Sequence, residues 1–297
     1  MRMIKLKASQ GLIVIEVKHS NPNGSGDDGY PRVYGNNRGL ISSVSVKRKA
    51  RNILCDKESP VWDEVSSKFS PKLKKEEFGI FETPDRNTKA MIKELVENID
   101  KFHSKHWDAR IWGNLLLEES KNKDKDSKDN RTSIRTGTVV VGHGRSIAPI
   151  EIIEQTITKM ASVEEGKSRG MAPGGLKIVR HGIYTIPYFV NPQYARHTNC
   201  SDIDIKLWLN LIPYLYVASR SHTRPEIQIL HAWHVDFKSI LGANRLDIIE
   251  ALQPVKKGDS ESPSADRSEN IFPTLDVIRE KFDGKFERLL DLMEEEY

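Results

Sequence analysis

Apolar residues along the chain fall into short runs with two different periods. Residues 12–17 (LIVIEV) form a short β-branched run followed by turn residues, which predicts a buried strand. Residues 137–146 (GTVVVGHGRS) predict a strand running into a glycine turn, and residues 178–190 and 226–237 predict two more strands. Residues 150–160 alternate Ile153, Gln155, Ile157 and Lys159, and their Ile and Thr content favours a strand. Helical spacing takes over in residues 85–106, where Met91, Ile92, Leu95, Val96, Ile99 and Phe102 share one face behind a cap at Asn87 or Thr88. Ser201 caps a second helical run that Pro213 ends or kinks. The closing residues, TLDVIREKFDGKFERLLDLMEEEY, read as amphipathic helix.

Polar stretches separate these runs. Residues 20–39 are dense in Gly, Asn, Pro and Asp and predict a long loop. Residues 118–131 mix both charges with almost no apolar side chain, which predicts a solvated loop. Residues 161–177 read as a loop or hairpin tip, and residues 256–270 as a polar linker. No internal repeat is visible. The irregular alternation of strands and helices predicts an α+β fold with an antiparallel or mixed sheet.

One stretch joins both patterns. Residues 43–54 (SVSVKRKARNIL) place Val46, Ala50, Ile53 and Leu54 on one helical stripe, capped by Ser42 or Ser43. Lys47 and Lys49 flank that stripe, and Arg48 and Arg51 are expected on the outward side. A core explains the apolar residues but not four bases in five positions. No acidic residue in 47–54 can pair with them at helical spacing. An ordinary solvated face, an import signal and a nucleic-acid patch all fit the charge, and the apolar stripe disfavours a detachable signal.

Composition narrows the classes without choosing among them. The chain has 297 residues, 37% hydrophobic and 30% charged, with a net charge of +4. That suits a globular chain with a proper core, and the balance is too mild to prove nucleic-acid binding by itself. Cys55 and Cys200 form no C-x-x-C pair, which predicts a reducing, cytoplasmic setting. No cleavable leader and no membrane span are expected.

Few motifs carry chemistry alone. Glycines in GHGRS (142–146) would let backbone approach a phosphate that Arg145 could grip, although neither a Walker loop nor GxGxxG is present. SRGMAPGG (168–175) is a basic tip whose Met171 could wedge between bases. The pairs His103/His106 and His231/His234 lack the H-E-x-x-H pattern, and the second pair would straddle a strand, so no metal is expected. Asp27 and Asp28 are loop carboxylates that could serve as base or ligand.

Five segments in order resemble one family: SNPNGSGDDGYPR, GLISSVSVKRKARN, DARIWG, GRSIAPIEI with QTITK, and VRHGIY. Together, across about residues 10 to 250, they resemble the backbone subunit of the CRISPR surveillance complex Cascade, the Cas-seven family, on its type I-B and I-C side. The resemblance implies an RRM-like, ferredoxin-like palm over 1–255, with fingers at about 56–135 and a thumb at about 156–181. A linker at 256–270 and a C-terminal helix at 271–297 would follow. It implies a non-catalytic subunit that stacks head to tail along a guide RNA and presents it to a target DNA strand, beside the large, small and repeat-processing subunits. No cofactor and no metal are implied. Carried over by position, the guide-RNA contacts would be Asn21, Asn23, Lys47, Arg48, Lys49, Arg51, Gly144, Arg145 and Ser146. From the thumb, Lys159, Arg169, Met171 and Arg180 would join them. The alternative is a type III-like subunit that cuts target RNA with Asp27 or Asp28.

Overall fold

The computed structural model describes residues 6–114, 134–159, 172–241, 246–295 and 297, with backbone alone at 157–159 and 172–174. Its strands are β1 (Ser9–Ser20), β2 (Val33–Tyr34), β3 (Arg38–Ile41), β4 (Gly113–Asn114), β5 (Arg135–Thr136), β6 (Val139–Val141) and β7 (Gly144–Pro149). They continue with β8 (Ile152–Lys159), β9 (Ala172–Val190), β10 (Glu226–Asp236), β11 (Val255–Lys256), β12 (Asn270–Ile271) and β13 (Arg288–Asp291).

The main sheet runs β13-β10-β1-β9-β7-β3-β2, with β6 and β8 also on β9 and every pairing antiparallel. The long β9 organises it. One edge of β9 holds β1, with Ile13 opposite Ile186. The other edge receives β6, β7 and β8 in turn, at Val139–Val190, Ser146–Tyr184 and Ile152–Val179. Among the central strands the spatial order is β10-β1-β9-β7. The helix Ser43–Cys55 lies between β1 and β7 in sequence, and Asp202–Leu211 lies between β9 and β10.

Both faces of the sheet are covered, so the β1 run does not alternate in polarity. On the first face Ile13, Ile15, Val17, Tyr184 and Ile186 pack under Val46, Ala50, Ile53 and Leu54 of the basic helix. Trp107, Ile111, Leu207, Trp208 and Leu211 complete that layer. On the second face Leu12, Val14, Ile183, Trp233 and Val235 pack under Ile248, Ile249, Leu252, Ile278 and Phe282.

Several expectations change. The helix expected over 85–106 is two, Thr88–Glu97 and Ile99–Lys105, each capped by an asparagine. Asn87 accepts from Ala90 N at 2.9 Å, and Asn98, at the break, accepts from Lys101 N at 2.9 Å. A helix that the periodicity did not suggest, Pro60–Ser67, starts on a Ser59 cap with proline in its first turn. Residues 20–39 are an ordered excursion closed by the Gly24–Pro31 bridge and the β2–β3 hairpin.

Residues 256–270 are not a free linker. Lys256 is buried, its ammonium held by Asp259 O at 3.1 Å and Ser262 Oγ at 3.2 Å. Ser264 Oγ meets His181 Nδ1 at 2.8 Å, and Arg267 binds the buried Glu16. The C-terminal helix is only Leu275–Lys281. Gly284, at φ +70°, turns the chain, and β13 then pairs with the sheet edge. Leu289 and Leu290 bury on opposite faces, as strand neighbours do.

Candidate nucleic-acid interface

The basic helix begins on Ser42, whose Oγ accepts from Ser45 N at 3.2 Å. Asn23 Oδ1 accepts from Ser42 N at 2.7 Å, which ties the 20–39 loop to the helix start. Asn21 is equally structural in its contacts: its Nδ2 donates to Gly29 O at 2.9 Å and Lys177 O at 3.1 Å.

The outward placement of Arg48 and Arg51 does not hold. The Arg51 side chain is 5% exposed, with Nε 2.9 Å from Asp108 Oδ2 and Nη2 2.6 Å from Glu82 Oε2. Its guanidinium lies 5.1 Å from the Trp112 ring centroid and 5.7 Å from that of Phe81. Asp108 is fully buried and also accepts from Phe81 N at 2.9 Å and Glu82 N at 3.3 Å. Arg48 is half-buried and donates to Glu82 O at 3.0 Å and Glu82 Oε1 at 3.4 Å. The helix carries no acid of its own, and the segment 78–112 folds back to supply two.

Its lysines differ. Lys49 is buried with its ammonium 4.8 Å over the Tyr216 ring. Burial, with the charge of Arg224, pushes it down to about 8. Lys47 is half-buried, 5.7 Å from the Trp112 ring. Burial and then Arg51 push its pKa down, against Glu82. Neither lysine pairs with a carboxylate among the described residues.

Gly144, Arg145 and Ser146 are strand, and the turn comes just before them at Gly142–His143. A Cβ at Gly144 would lie 2.8 Å from Ile186 Cγ1 and 2.9 Å from Ile41 Cβ, so glycine serves close packing there. Ser146 is buried and spends its hydroxyl on Gly39 N at 2.8 Å and Ala148 O at 2.5 Å. Strand alternation sends Arg145 to the second face, opposite the basic helix. Arg145 is exposed, 5.3 Å from the Tyr34 ring centroid, with no carboxylate partner among the described residues. It lines an open pocket of about 620 Å³ with Tyr34, Arg38, His143 and Thr185. The helix and this strand meet at the paired ends of β3 and β7, where His143 Nδ1 accepts from Ser43 N at 3.2 Å.

Of the hairpin residues, Arg180 is exposed and paired with Glu151 at 3.1 Å. Arg169, Met171 and the Lys159 side chain lie outside the described residues. The hairpin meets the 20–39 loop where Lys177 Nζ sits 3.6 Å over the Tyr30 ring and Tyr30 Oη bonds Glu154.

With this geometry in place, the profile of the family described as CRISPR-associated protein Cas7 matches residues 7–271. The chain belongs to the Cas7 family. A Cas7 of Haloferax volcanii is 26% identical over 217 residues, which cover 69% of this chain and 62% of that relative. This chain therefore spans less than two thirds of that relative's length. Among solved structures, a chain of a CRISPR RNA-guided surveillance complex, pre-nicking, overlays with a TM-score of 0.46 at 13% identity, covering 78% of this chain and 79% of that one. A chain of the Type III-B Cmr-beta complex bound to cognate target RNA overlays at 0.42 with 10% identity, covering 77% and 61%.

In this Cas7 chain the loop acids sit in an exposed turn, where Asp28 Oδ1 accepts from Tyr30 N at 3.0 Å. Among the described residues no three His, Cys, Asp or Glu side chains converge as a metal site. His103 is buried, and burial, then Arg135 and Arg110, push it down to about 4. His231 stacks on Trp233 and His234 on Tyr188, on opposite faces of β10. No helix among the described residues is long and apolar enough to cross a membrane. Sequence reading passed over Tyr34, and over Arg220, His222 and Arg224. The latter three had a visible signal, three bases in five positions without an acid.

Proposed function

We propose that this chain is a non-catalytic guide-RNA-binding backbone subunit of a type I-like CRISPR complex, built on an RRM-like palm. The order β10-β1-β9-β7 with two crossing helices supports that palm, since a β-α-β-β-α-β unit folds with its fourth strand beside its first. In this reading the 152–190 hairpin is the thumb, copies stack head to tail along the RNA in the cytoplasm, and the guide pairs with a target DNA strand beside other Cascade subunits. A heterologous, non-closing contact between copies suits a filament whose length the RNA limits.

The observation that carries the reading is Arg145: an exposed guanidinium on the second face of β7, beside an aromatic ring and without a carboxylate partner among the described residues. Such a group offers a bidentate contact to phosphate and an aromatic neighbour for a base. Lys47, one helical turn from the Ser43–His143 contact, extends the cationic track. Gripping phosphates leaves sequence to base pairing.

Binding of two guide RNAs of unrelated spacer sequence, measured against salt, tests this. Both should bind alike, log K should fall linearly with log salt, and Arg145→Ala should weaken both and lower the slope by about 1. The complexes should form a size ladder that follows RNA length. A strong preference for one spacer, or a single monomer on every length, contradicts the reading.

A further inference from the structure

The loop between the turn Val217–Ser219 and β10 carries Arg220, His222 and Arg224, with Ser221 and Thr223 between them. It has a defined shape. Arg224 N donates to Ser221 O at 2.9 Å and Arg224 Nε to Ser221 Oγ at 3.3 Å. Thr223 O accepts from Asn21 N at 2.7 Å, which anchors the loop to the end of β1. Residues 220–223 are exposed. Among the described residues, no carboxylate pairs with Arg220, His222 or Arg224.

Behind the loop, the basic helix packs against Val217–Ser219 and buries Lys49 on Tyr216. The Tyr216 hydroxyl is itself buried without a hydrogen-bond partner among the described residues. The charge of Arg224 acts on both Lys49 and Tyr216. Elsewhere on the same helix the two arginines are matched: Arg48 has Glu82, and Arg51 has Glu82 and Asp108. Here an ammonium and a guanidinium share a corner with no counter-charge among the described residues, an arrangement that repels itself until an anion arrives.

We propose that this corner, formed by Arg220, His222 and Arg224 in front of Lys49, is a second seat for a phosphodiester backbone, separate from the Arg145 surface. The inference rests on the guide-RNA reading for the source of that backbone. Arg224 offers a fork to two phosphate oxygens, and the Ser221 and Thr223 hydroxyls can donate beside it. A fork and hydroxyls that grip phosphate oxygens bind whatever the base, so the contact is expected to be sequence-neutral. The strand seated there is either the guide or the strand paired to it.

The test uses the full chain with guide RNA alone and with guide RNA paired to complementary DNA. Arg220→Ala with Arg224→Ala should cost roughly tenfold in affinity and make the salt slope shallower by about two, with an unchanged thermal midpoint. Arg220→Lys with Arg224→Lys should recover part of the affinity, since it keeps charge and loses the fork. A loss with guide alone assigns the seat to the guide, and a loss only with the paired form assigns it to the complementary strand. If wild type binds and the double alanine variant binds equally in both forms, the corner is overturned while the function stands. A wild type that binds neither form overturns both.

Discussion

The basic helix and the 220–224 loop both concentrate basic residues, four in five positions against two arginines and a histidine in five, and use them differently. In the helix, Arg48 and Arg51 are bound to Glu82 and Asp108, and they staple the 78–112 segment to the sheet's first layer. In the loop, Arg220, His222 and Arg224 have no such partners among the described residues. The Arg145 surface resembles the loop. The lesson is that basic density alone does not mark an RNA contact. A guanidinium already holding two carboxylates must surrender them to bind phosphate, and the buried Asp108 would then hold an unpaired charge. An unpartnered guanidinium surrenders nothing.

The largest expected effect follows from this contrast. Arg51→Ala leaves Asp108 buried with its charge uncompensated, and breaking such a pair costs about 3–5 kcal/mol. Urea denaturation should show that drop, while Arg145→Ala should stay within about 0.5 kcal/mol of wild type. Arg51→Met combined with Asp108→Asn should recover part of the loss, because no buried charge is then left alone and the amide oxygen can still accept from Phe81 N. An Arg51→Ala protein with an unchanged urea midpoint and lost RNA binding would reverse the comparison and return Arg51 to the interface.

Sequence reading found the apolar half of this helix and misplaced Arg51 on its outward side for one physical reason. The stripe of Val46, Ala50, Ile53 and Leu54 follows from a period of 3.6, a local property. The burial of Arg51 depends on Asp108, 57 positions away, and no local period carries that. The same limit explains residues 256–270. A run with almost no apolar residues is secured by a caged Lys256 and by Arg267 on Glu16, polar pairings visible only once the sheet is assembled. At the C-terminus, Leu289 and Leu290 fit a helical stripe as well as a strand, and only Gly284 hinted at the break. The strands of the central sheet were legible because β-branched runs bounded by turns leave few alternatives. Gly144-Arg145-Ser146 was placed correctly in sequence but read as a turn, since glycine there answers to Ile41 and Ile186 packing and not to backbone curvature.

The next effect sharpens the boundary between the two regions, where Lys49 belongs to the helix but faces the loop. Burial and Arg224 take its ammonium from the usual 10.5 down to about 8. Below pH 8 the folded chain carries an unfavourable charge. Between about pH 8 and 10.5 the unfolded chain binds more protons than the folded one, so stability should rise with pH through that window. Lys49→Met removes the titrating group. It should raise stability at pH 7 by on the order of 2 kcal/mol and flatten the rise above pH 8. Urea midpoints at pH 7, 8.5 and 10 would read both effects. A variant that is less stable at pH 7 and keeps the wild-type slope would mean that Lys49 already has its counter-charge, and the corner would lose its contrast with the helix.

The smallest expected effect concerns the acids beside the cationic track. Asp28 uses one carboxylate oxygen to fix the Tyr30 amide, and Asp27 is exposed in the same turn. A loop carboxylate that cleaved RNA would need either a metal held by further ligands or a poised base beside the reacting hydroxyl. Lys177 reaches the Asp28 backbone oxygen at 3.0 Å and leaves both side chains to solvent. Target RNA paired to the bound guide should therefore remain intact with Mg²⁺ or Mn²⁺, and Asp27→Ala and Asp28→Ala should each leave guide affinity within about 0.5 kcal/mol of wild type. Metal-dependent cleavage lost in Asp27→Ala would show that the turn, and not the cationic surface alone, does chemistry on the nucleic acid. The anionic side of the comparison would then be functional as well.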